Sequence, residues 1–306
     1  MDRRGAMVAR MRAGEKPRPA LLLTGAALPG YSNAMSTPSS SLLTVLDLVP
    51  FGQTGPEHRF FALRLSRPDW PDWERWRPGQ FVMVRPVSFG LEIPWARPFG
   101  ICHLTARHLI CFFQVHGRGT QRMARLAAGD QVRVWGPLGN GFAMEEDTPT
   151  LLLAGGMGIV PFVGYVNRHP QPWNLGMLFG HREPLGCYPV DSINERVPVD
   201  TLREPESGDL DDFIFSLQER IRDNAEQNGL VLACGPRPFL LTVQKLAARY
   251  GARAQLSLEN RMACGVGACL GCVTRTTDAW PVAAARGTPV QVCTQGPVFW
   301  ANQIEL

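Results

Sequence analysis

The chain has 306 residues, of which 45% are apolar and 19% charged, so a largely disordered or collagen-like protein is excluded and two or three domains are expected. The formal net charge of +4 lies entirely in the first 34 residues, which hold six cations and two anions. The neutral remainder gives nucleic-acid or membrane-surface binding no electrostatic support, and no stretch reaches the ~20 apolar residues of a membrane-spanning helix.

Residues 1–41 form a basic leader that we expect to be disordered, or to precede a true start at Met35. A short apolar run at 20–28 weakly imitates a secretory signal, which is the alternative interpretation of this segment. A linker rich in Pro and Ser at 36–41 separates the leader from sequence of ordered character.

Residues 42–146 contain six short β-type runs punctuated by Pro and Gly, without a clear helical pattern. This succession of short strands and turns predicts a small β-barrel. The six runs are SLLTVLDLV, HRFFALRLS, GQFVMVRPV, RPFGICHL, HLICFFQVHG and DQVRVWG. The segment GPLGNG at 136–141 is interpreted as a connection with turn chemistry.

Residues 147–258 alternate between strand and helix patterns. The predicted strands cover 150–154, 173–179, 230–234 and 252–258, and the predicted helices cover 159–167, 211–228 and 238–250. Alternating strands and helices predict a parallel sheet with helices on both faces.

Two turns in this region directly follow apolar strands and therefore belong to the same rim of the predicted sheet. The first contains Gly155, Gly156 and Gly158, and the helix that follows offers unpaired backbone N–H groups to a phosphate. The second turn consists of Cys234, Gly235 and Pro236. The pattern favours a nucleotide site, with a turn needed only for packing as the alternative.

The last segment, 259–306, contains four of the eight cysteines, Cys264, Cys269, Cys272 and Cys293. Their C-x4-C-x2-C…C spacing is typical of plant-type 2Fe-2S sites, and a structural zinc site or unconnected thiols are the alternatives. Because the segment has little helical periodicity, we expect a metal rather than an apolar core to order it. Clustered cysteines in a chain of this size also favour a reducing compartment, the cytoplasm.

Two motifs of the barrel segment have the residue types for a ligand that carries phosphate. Arg97 offers a planar cation, Phe99 offers an aromatic surface to a flat ring, and Gly119 with Thr120 offers close backbone approach and a hydroxyl. A solvated or ion-paired Arg97 is the alternative.

Several motifs in chain order resemble the ferredoxin-reductase-type flavoproteins and, more closely, the electron-transfer subunits of NAD-dependent dihydroorotate dehydrogenase. These motifs are GQFVMV (79–84), RPFG (97–100), GRGT (117–120), GPLGNGF (136–142), AGGMGIVP (154–161), ACGP (233–236), MACGVGACLGC (262–272) and VCTQGPVF (292–299). The resemblance implies a FAD-binding Greek-key β-barrel over 42–146, an NAD-binding parallel α/β domain over 147–258 and a small 2Fe-2S domain over 259–306.

The resemblance also implies which residues contact each group. For FAD they are Arg97, Pro98, Phe99, Gly100, Phe112, Phe113, Gln114, Gly119 and Thr120. For NAD they are Gly155, Gly156, Gly158, Cys234, Gly235 and Pro236, with Cys234 near the nicotinamide as the one candidate catalytic residue. The cluster ligands are Cys264, Cys269, Cys272 and Cys293. Gly100 departs from the family pattern, which usually has Ser there, so a flavin contact from that hydroxyl is missing unless backbone N–H replaces it.

The function implied is transfer of electrons from the FMN of a partner, through 2Fe-2S and FAD, to NAD during oxidation of dihydroorotate to orotate. The expected partner is an FMN-containing dihydroorotate dehydrogenase catalytic subunit in a heterotetramer. The family prefers NADH, although His181 and Arg182 leave room for a 2′-phosphate. The alternatives are a related reductase subunit that serves sulfite reductase, hydrogenase or ferredoxin, and a non-redox module with structural zinc.

Overall fold

The computed structural model describes residues 40–52, 59–203, 209–281 and 286–306. The first of these ranges opens a closed barrel of six antiparallel strands, which confirms the predicted barrel. Alternate side chains of each strand point inward, as Leu63 and Leu65 do, and both are fully buried. The strands are β1 (Ser40–Phe51), β2 (Phe60–Ser66), β3 (Phe81–Pro86), β4 (Arg97–Leu104), β5 (His108–Gln114) and β6 (Gln131–Leu138), in the order β1-β2-β5-β4-β3-β6.

The barrel segment also contains a helix that the sequence pattern does not predict, α1 (Arg118–Met123). Gly117 precedes its first residue, and the helix buries Gly119 and Met123. Six residues are too few to show helical periodicity, and its first three residues belong to the motif GRGT, which is typical of a turn.

The second half of the chain forms the predicted parallel α/β sheet. Its parallel strands are β7 (Thr150–Gly155), β8 (Leu175–His181), β9 (Val199–Arg203), β10 (Leu230–Cys234) and β11 (Arg253–Ser257), in the order β11-β10-β7-β8-β9. The helices are α2 (Val160–Arg168), α3 (Asp191–Asn194), α4 (Asp209–Glu226) and α5 (Arg237–Tyr250). Strand β9 escapes the sequence pattern because it is an edge strand with half-exposed residues. Of the described helices, none combines the length and apolar character needed to span a membrane.

The C-terminal segment has an apolar core, which corrects the expectation that a metal alone orders it. Its elements are β12 (Val273–Thr276), β13 (Pro289–Gln291), α6 (Val292–Gln295), β14 (Val298–Trp300) and β15 (Ile304–Glu305). Strands β13, β12 and β15 form a small antiparallel sheet, while β14 pairs with β11 and so extends the parallel sheet. Phe299 and Ile304 pack into the same core as Val231 and Leu240. The local sequence pattern of 259–306 does not predict this core, because the residues that Phe299 and Ile304 pack against lie in distant segments of the chain.

Helix α2 packs directly on the barrel. A Cβ on Gly164 would lie 2.6 Å from the Trp76 ring and 2.9 Å from the Cys102 carbonyl oxygen, so only glycine allows this approach. The close packing brings the carboxyl ends of the sheet strands to face β4 and β5.

Candidate functional site

A cleft of about 390 Å³ lies between the barrel and the carboxyl ends of β7, β10 and β11. Its lining includes Pro98, Phe99, Gly100, Phe112, Phe113, Gln114, Met157, Cys234, Glu259, Met262 and Pro297. One cavity therefore brings together three groups of residues: those predicted to bind FAD, one predicted to bind NAD, and those that flank the cluster ligands.

The barrel wall of this cleft is aromatic and has open space at one position. Strands β4 and β5 are neighbours, which sets the Phe99 and Phe113 rings 5.5 Å apart. A Cβ placed on Gly100 would meet nothing within 4 Å. Flat apolar walls with open space beside a backbone strand fit a flat ring system such as that of FAD.

Arg97 lies at one end of this wall, against α1. Its guanidinium donates to the carbonyl oxygens of Trp95 (2.7 Å) and Ala96 (3.2 Å), and a Cβ on Gly119 would lie 2.4 Å from it. Burial, and then the charge of Arg118, lower the pKa of Arg97. Two neighbouring guanidinium groups make this corner positive, which suits a doubly charged anion such as a pyrophosphate.

The Thr120 hydroxyl, which the sequence suggests for contact with a phosphate, forms hydrogen bonds with the neighbouring backbone. It accepts hydrogen bonds from the N–H groups of His116 (2.9 Å) and Gly117 (3.2 Å), and it donates to the Gly117 carbonyl oxygen (3.1 Å). The side chain therefore closes the turn before α1. A phosphate contact from Thr120 would have to come from its backbone.

The two glycine-containing turns of the rim touch each other. Strands β7 and β10 are parallel neighbours, with Ala154 opposite Cys234. A Cβ on Gly158 would lie 2.0 Å from the Cys234 carbonyl oxygen, and one on Gly155 would lie 3.1 Å from Pro236. Gly156 has a φ of +53°, which lets the chain turn away from the sheet. The prediction that both turns share one rim agrees with this arrangement.

His181 ends β8, and Arg182 follows it on the same rim. His181 is buried, and its Nδ1 lies 2.8 Å from the Glu183 carbonyl oxygen. Arg203 is the register partner of His181 on β9 and donates from Nε to the Arg182 carbonyl oxygen (3.2 Å). The backbone of these two strand ends is therefore held together by a side chain.

Cys234 is buried, and burial followed by the charge of Glu259 raises the pKa of its thiol well above the ordinary value. The thiol is therefore protonated at neutral pH and contributes a small, weakly polar surface rather than a nucleophile.

Glu259 is a cleft residue that the sequence reasoning missed. Glu259 is exposed to the cleft. The protein packed around its carboxyl disfavours the charged form and raises its pKa. The signal was present, because Glu259 directly follows the predicted strand at 252–258 and so belongs to the same rim as Cys234.

The four clustered cysteines lie as two pairs. The Cys269 N–H and the Val266 N–H each lie 3.4 Å from the Cys264 sulfur, and the Cys293 N–H lies 3.4 Å from the Cys272 sulfur. Cys269 is exposed, whereas Cys272 and Cys293 are buried. One edge of the site therefore faces the surface.

The loop around the first three cysteines needs unusual backbone conformations. Gly265 and Gly267 have φ values of +72° and +83°. A Cβ on Gly265 would lie 2.5 Å from Met83 of the barrel, and the Gly267 carbonyl oxygen accepts a hydrogen bond from Gln291 Nε2 (2.9 Å). Glycines thus let the loop curl while it packs on β3 and β13.

The donor set fits a two-iron cluster. Four thiols in two pairs match two irons with two thiolates each. Hydrogen bonds from the backbone of Gly271 and from Cys264 lower the pKa of Cys269 to about 7. Burial, followed by the Cys272 thiol, raises the pKa of Cys293 to about 12. Metal binding has to displace that proton.

Similar solved structures establish the fold of this chain. The structure of an NADH-dependent reduced ferredoxin-NADP oxidoreductase has a TM-score of 0.69 and 21% identity, and the match covers 87% of this chain and 90% of that one. Ferredoxin-NADP+ reductase from Plasmodium falciparum has a TM-score of 0.54 and 12% identity, covering 68% of this chain and 90% of that one.

Sequence relatives identify the family. Residues 259–305 match the iron-sulfur cluster binding domain of dihydroorotate dehydrogenase B. The electron transfer subunit of dihydroorotate dehydrogenase B (NAD(+)) from Caldanaerobacter subterraneus is 31% identical over 74% of this chain and 86% of its own length. The corresponding subunit from Geobacillus kaustophilus is 32% identical over 75% of this chain and 87% of its own length. This chain therefore belongs to the family of dihydroorotate dehydrogenase B electron transfer subunits.

Proposed function

We propose that this chain carries electrons between a catalytic partner and NAD in the oxidation of dihydroorotate to orotate, a step of pyrimidine biosynthesis. The observation that carries this proposal is the shared cleft. It is lined by Phe99 of the barrel, Cys234 of the rim, and Met262 and Pro297 beside the cluster ligands. Groups held by these three parts of the chain would be neighbours.

The chain binds FAD, a 2Fe-2S cluster and NAD as co-substrate. Bound FAD exchanges a hydride with nicotinamide and single electrons with the cluster, which carries one electron at a time. The protein supplies position and electrostatics.

We assign the FAD contacts to the barrel wall and the α1 corner. Arg97 and the backbone of Gly119 and Thr120 would hold the pyrophosphate, and the aromatic wall around Phe99 would flank the flavin ring. Pro98, Gly100, Phe112, Phe113 and Gln114 complete the proposed FAD site.

We assign the nucleotide contacts to the rim. Gly155, Gly156 and Gly158 would approach the phosphates of NAD, while Cys234, Gly235 and Pro236 would lie beside the nicotinamide. The protonated Cys234 thiol and the Glu259 carboxyl would border the space in which hydride transfer takes place. The buried Cys234 side chain would limit water there.

We assign the cluster ligands to Cys264, Cys269, Cys272 and Cys293, with Cys269 at the exposed edge. The proposed partner is an FMN-containing dihydroorotate dehydrogenase catalytic subunit, in a heterotetramer, so that dihydroorotate itself does not contact this chain. None of the eight cysteines, all of which the structure describes, is in a disulfide, and we infer the reducing cytoplasm as the compartment.

Anaerobic co-expression with such a catalytic subunit tests the proposal. The purified complex should contain FAD, FMN and iron and should form NADH when supplied with dihydroorotate and NAD. The catalytic subunit alone should oxidise dihydroorotate with an artificial acceptor but not with NAD. Association with a sulfite reductase or hydrogenase subunit instead, or a complex that holds all cofactors without dihydroorotate-dependent NAD reduction, would contradict it.

A further inference from the structure

The segment 136–142 contains the last three residues of β6, which corrects its interpretation as a connection alone, and then leads from the barrel to the second half of the chain. Asn140 in this segment makes four hydrogen bonds to residues 295–298, which follow the cluster ligand Cys293. Its N–H donates to the Gly296 carbonyl oxygen (2.6 Å). Its Nδ2 donates to the carbonyl oxygens of Val298 (2.8 Å) and Gln295 (3.3 Å), and its Oδ1 accepts from the Val298 N–H (2.9 Å).

The neighbouring Gly139 shows how close the two segments lie. A Cβ on Gly139 would be 2.4 Å from the Gly296 carbonyl oxygen, and its φ is +67°. Both facts require glycine at this position. The contact between the segments is therefore direct backbone packing, fixed in register by the Asn140 amide.

The other end of this contact reaches the flavin side of the cleft. Gln80 Nε2 donates to the Gly139 carbonyl oxygen (2.7 Å), and the Gln80 carbonyl oxygen accepts from the Ile101 N–H (3.0 Å). Gln80 lies between Gly79 and Phe81, which both line the cleft. A hydrogen-bonded path thus runs from the cleft wall through residues 139–140 to 295–298.

The held segment joins the cluster to the cleft. Pro297 lines the cleft and lies four residues after Cys293. The Pro297 carbonyl oxygen accepts a hydrogen bond from the Leu258 N–H (2.9 Å), next to Glu259 on the rim. A shift of 295–298 would therefore change the position of Cys293 relative to both walls of the cleft.

We propose that Asn140 is a positioning residue for electron exchange between the cluster and FAD, because its amide fixes the Cys293–Pro297 connection against the barrel. This inference rests on the proposed function. The step moves one electron and no atoms. In the proposed function the flavin gains the electron that the reduced cluster loses, and in the reverse reaction driven by NADH the cluster gains the electron that the reduced flavin loses. Its rate falls steeply with distance, whereas hydride transfer from NADH depends on other residues of the cleft.

The test compares Asn140→Ala with Asn174→Ala in the anaerobic holoprotein. Asn174 is a matched control because its amide donates to the Glu146 carbonyl oxygen and to Gln171 Oε1, in a turn away from the cleft. After mixing with NADH, flavin bleaching is followed by absorbance and cluster reduction by rapid-freeze electron paramagnetic resonance. In Asn140→Ala, cluster reduction should slow on the order of tenfold while flavin bleaching stays within about twofold of wild type. Asn174→Ala should change neither rate.

Two further readouts separate positioning from damage. Hydrogen exchange of the 293–298 amides should be faster in Asn140→Ala, with iron content per chain unchanged. Asn140→Asp keeps an acceptor for the Val298 N–H but sets a carboxylate against the two carbonyl oxygens that Nδ2 donates to, so its cluster reduction should slow at least as much as in Asn140→Ala. If Asn140→Ala does not fold, Asn140→Ser is measured by the same criteria.

The outcomes distinguish this inference from the proposed function. A wild-type protein that lacks flavin bleaching by NADH would overturn the proposed function and this inference with it. Normal wild-type traces, together with an unchanged cluster rate in Asn140→Ala or equal slowing of both steps, would overturn the role of Asn140 alone.

Discussion

Gly158 lies so close to Cys234 that a Cβ on Gly158 would be 2.0 Å from the Cys234 carbonyl oxygen and 2.3 Å from its carbonyl carbon. The turn after β7 and the turn after β10 are thus in backbone contact. The contact makes the rim one rigid unit, and any side chain at position 158 has to separate the two turns.

Gly158→Ala should therefore disturb the nucleotide site. We expect the free energy of unfolding to fall by about 1–3 kcal/mol because of overpacking, and the KM for NADH to rise. Gly176→Ala is the control, since a Cβ on Gly176 of β8 would meet nothing within 4 Å. Chemical denaturation and NADH-dependent ferricyanide reduction measure both effects. Equal behaviour of the two variants would contradict the close contact.

Gly100→Ser should be tolerated and should improve the flavin site. A Cβ there would meet nothing within 4 Å, so the melting temperature should not change. The added hydroxyl supplies one hydrogen bond toward the cleft, which corresponds to an about two- to tenfold faster reduction of flavin by NADH. Stopped-flow absorbance measures this rate. A slower rate, or loss of FAD, would show that Gly100 is needed for space.

Arg97→Ala should weaken FAD binding. Loss of charged hydrogen bonds worth about 1.5–3 kcal/mol corresponds to an about ten- to hundredfold higher Kd. Arg85→Ala is the matched control, because Arg85 also donates to backbone carbonyl oxygens, those of Phe89 (2.7 Å) and Pro94 (3.2 Å). Fluorescence titration of flavin-depleted protein gives both constants. A similar loss of affinity in both variants would contradict a specific role for Arg97.

Cys269→Ser should remove the iron-sulfur cluster, whereas Cys187→Ser should keep it. Cys269 is one of four paired thiols, and Cys187 is a buried thiol that packs against Gly52. Iron and acid-labile sulfide analysis after anaerobic purification measures the difference. Zinc without sulfide in the wild-type protein would instead favour the structural zinc alternative.

Glu259→Gln should change how stability depends on pH. The protein packed around the Glu259 carboxyl raises its folded-state pKa above the ordinary 4.5, so the folded protein holds this proton more tightly than the unfolded chain. The resulting stability is complete below pH 4.5 and is lost as the pH rises through the folded pKa. The melting temperature of wild type should therefore fall relative to Glu259→Gln from pH 4.5 upward. Parallel curves would contradict the raised pKa.

Much of this architecture can be predicted from local sequence patterns. The spacing of Cys264, Cys269, Cys272 and Cys293 predicts the cluster ligands, because a 2Fe-2S loop is mostly one continuous segment. Apolar strands followed by glycines predict the rim, since parallel strands end on one side of a sheet. The six-stranded barrel follows in the same way from its short alternating runs.

Features that depend on distant partners are not predicted. The proposed role of Asn140 depends on its hydrogen bonds to Gln295 and Val298, which lie 155 and 158 positions further along the chain. Nothing in the sequence GPLGNG indicates these partners. The core of the C-terminal segment escapes detection for the same reason, because Phe299 packs on elements of the parallel sheet. The motif predicts that the Thr120 hydroxyl faces a ligand, whereas in the structure it forms hydrogen bonds within its own turn. The local sequence does not indicate which of several possible hydrogen-bond partners a polar side chain has in the folded protein.

The most direct test of the central claim is a reductive titration of the isolated chain. After anaerobic purification, dithionite is added stepwise while flavin absorbance and the resonance signal of the reduced cluster are recorded. The chain should take up about three electrons, two for FAD and one for the cluster. An uptake of two electrons without a cluster signal, or none at all, would contradict the account.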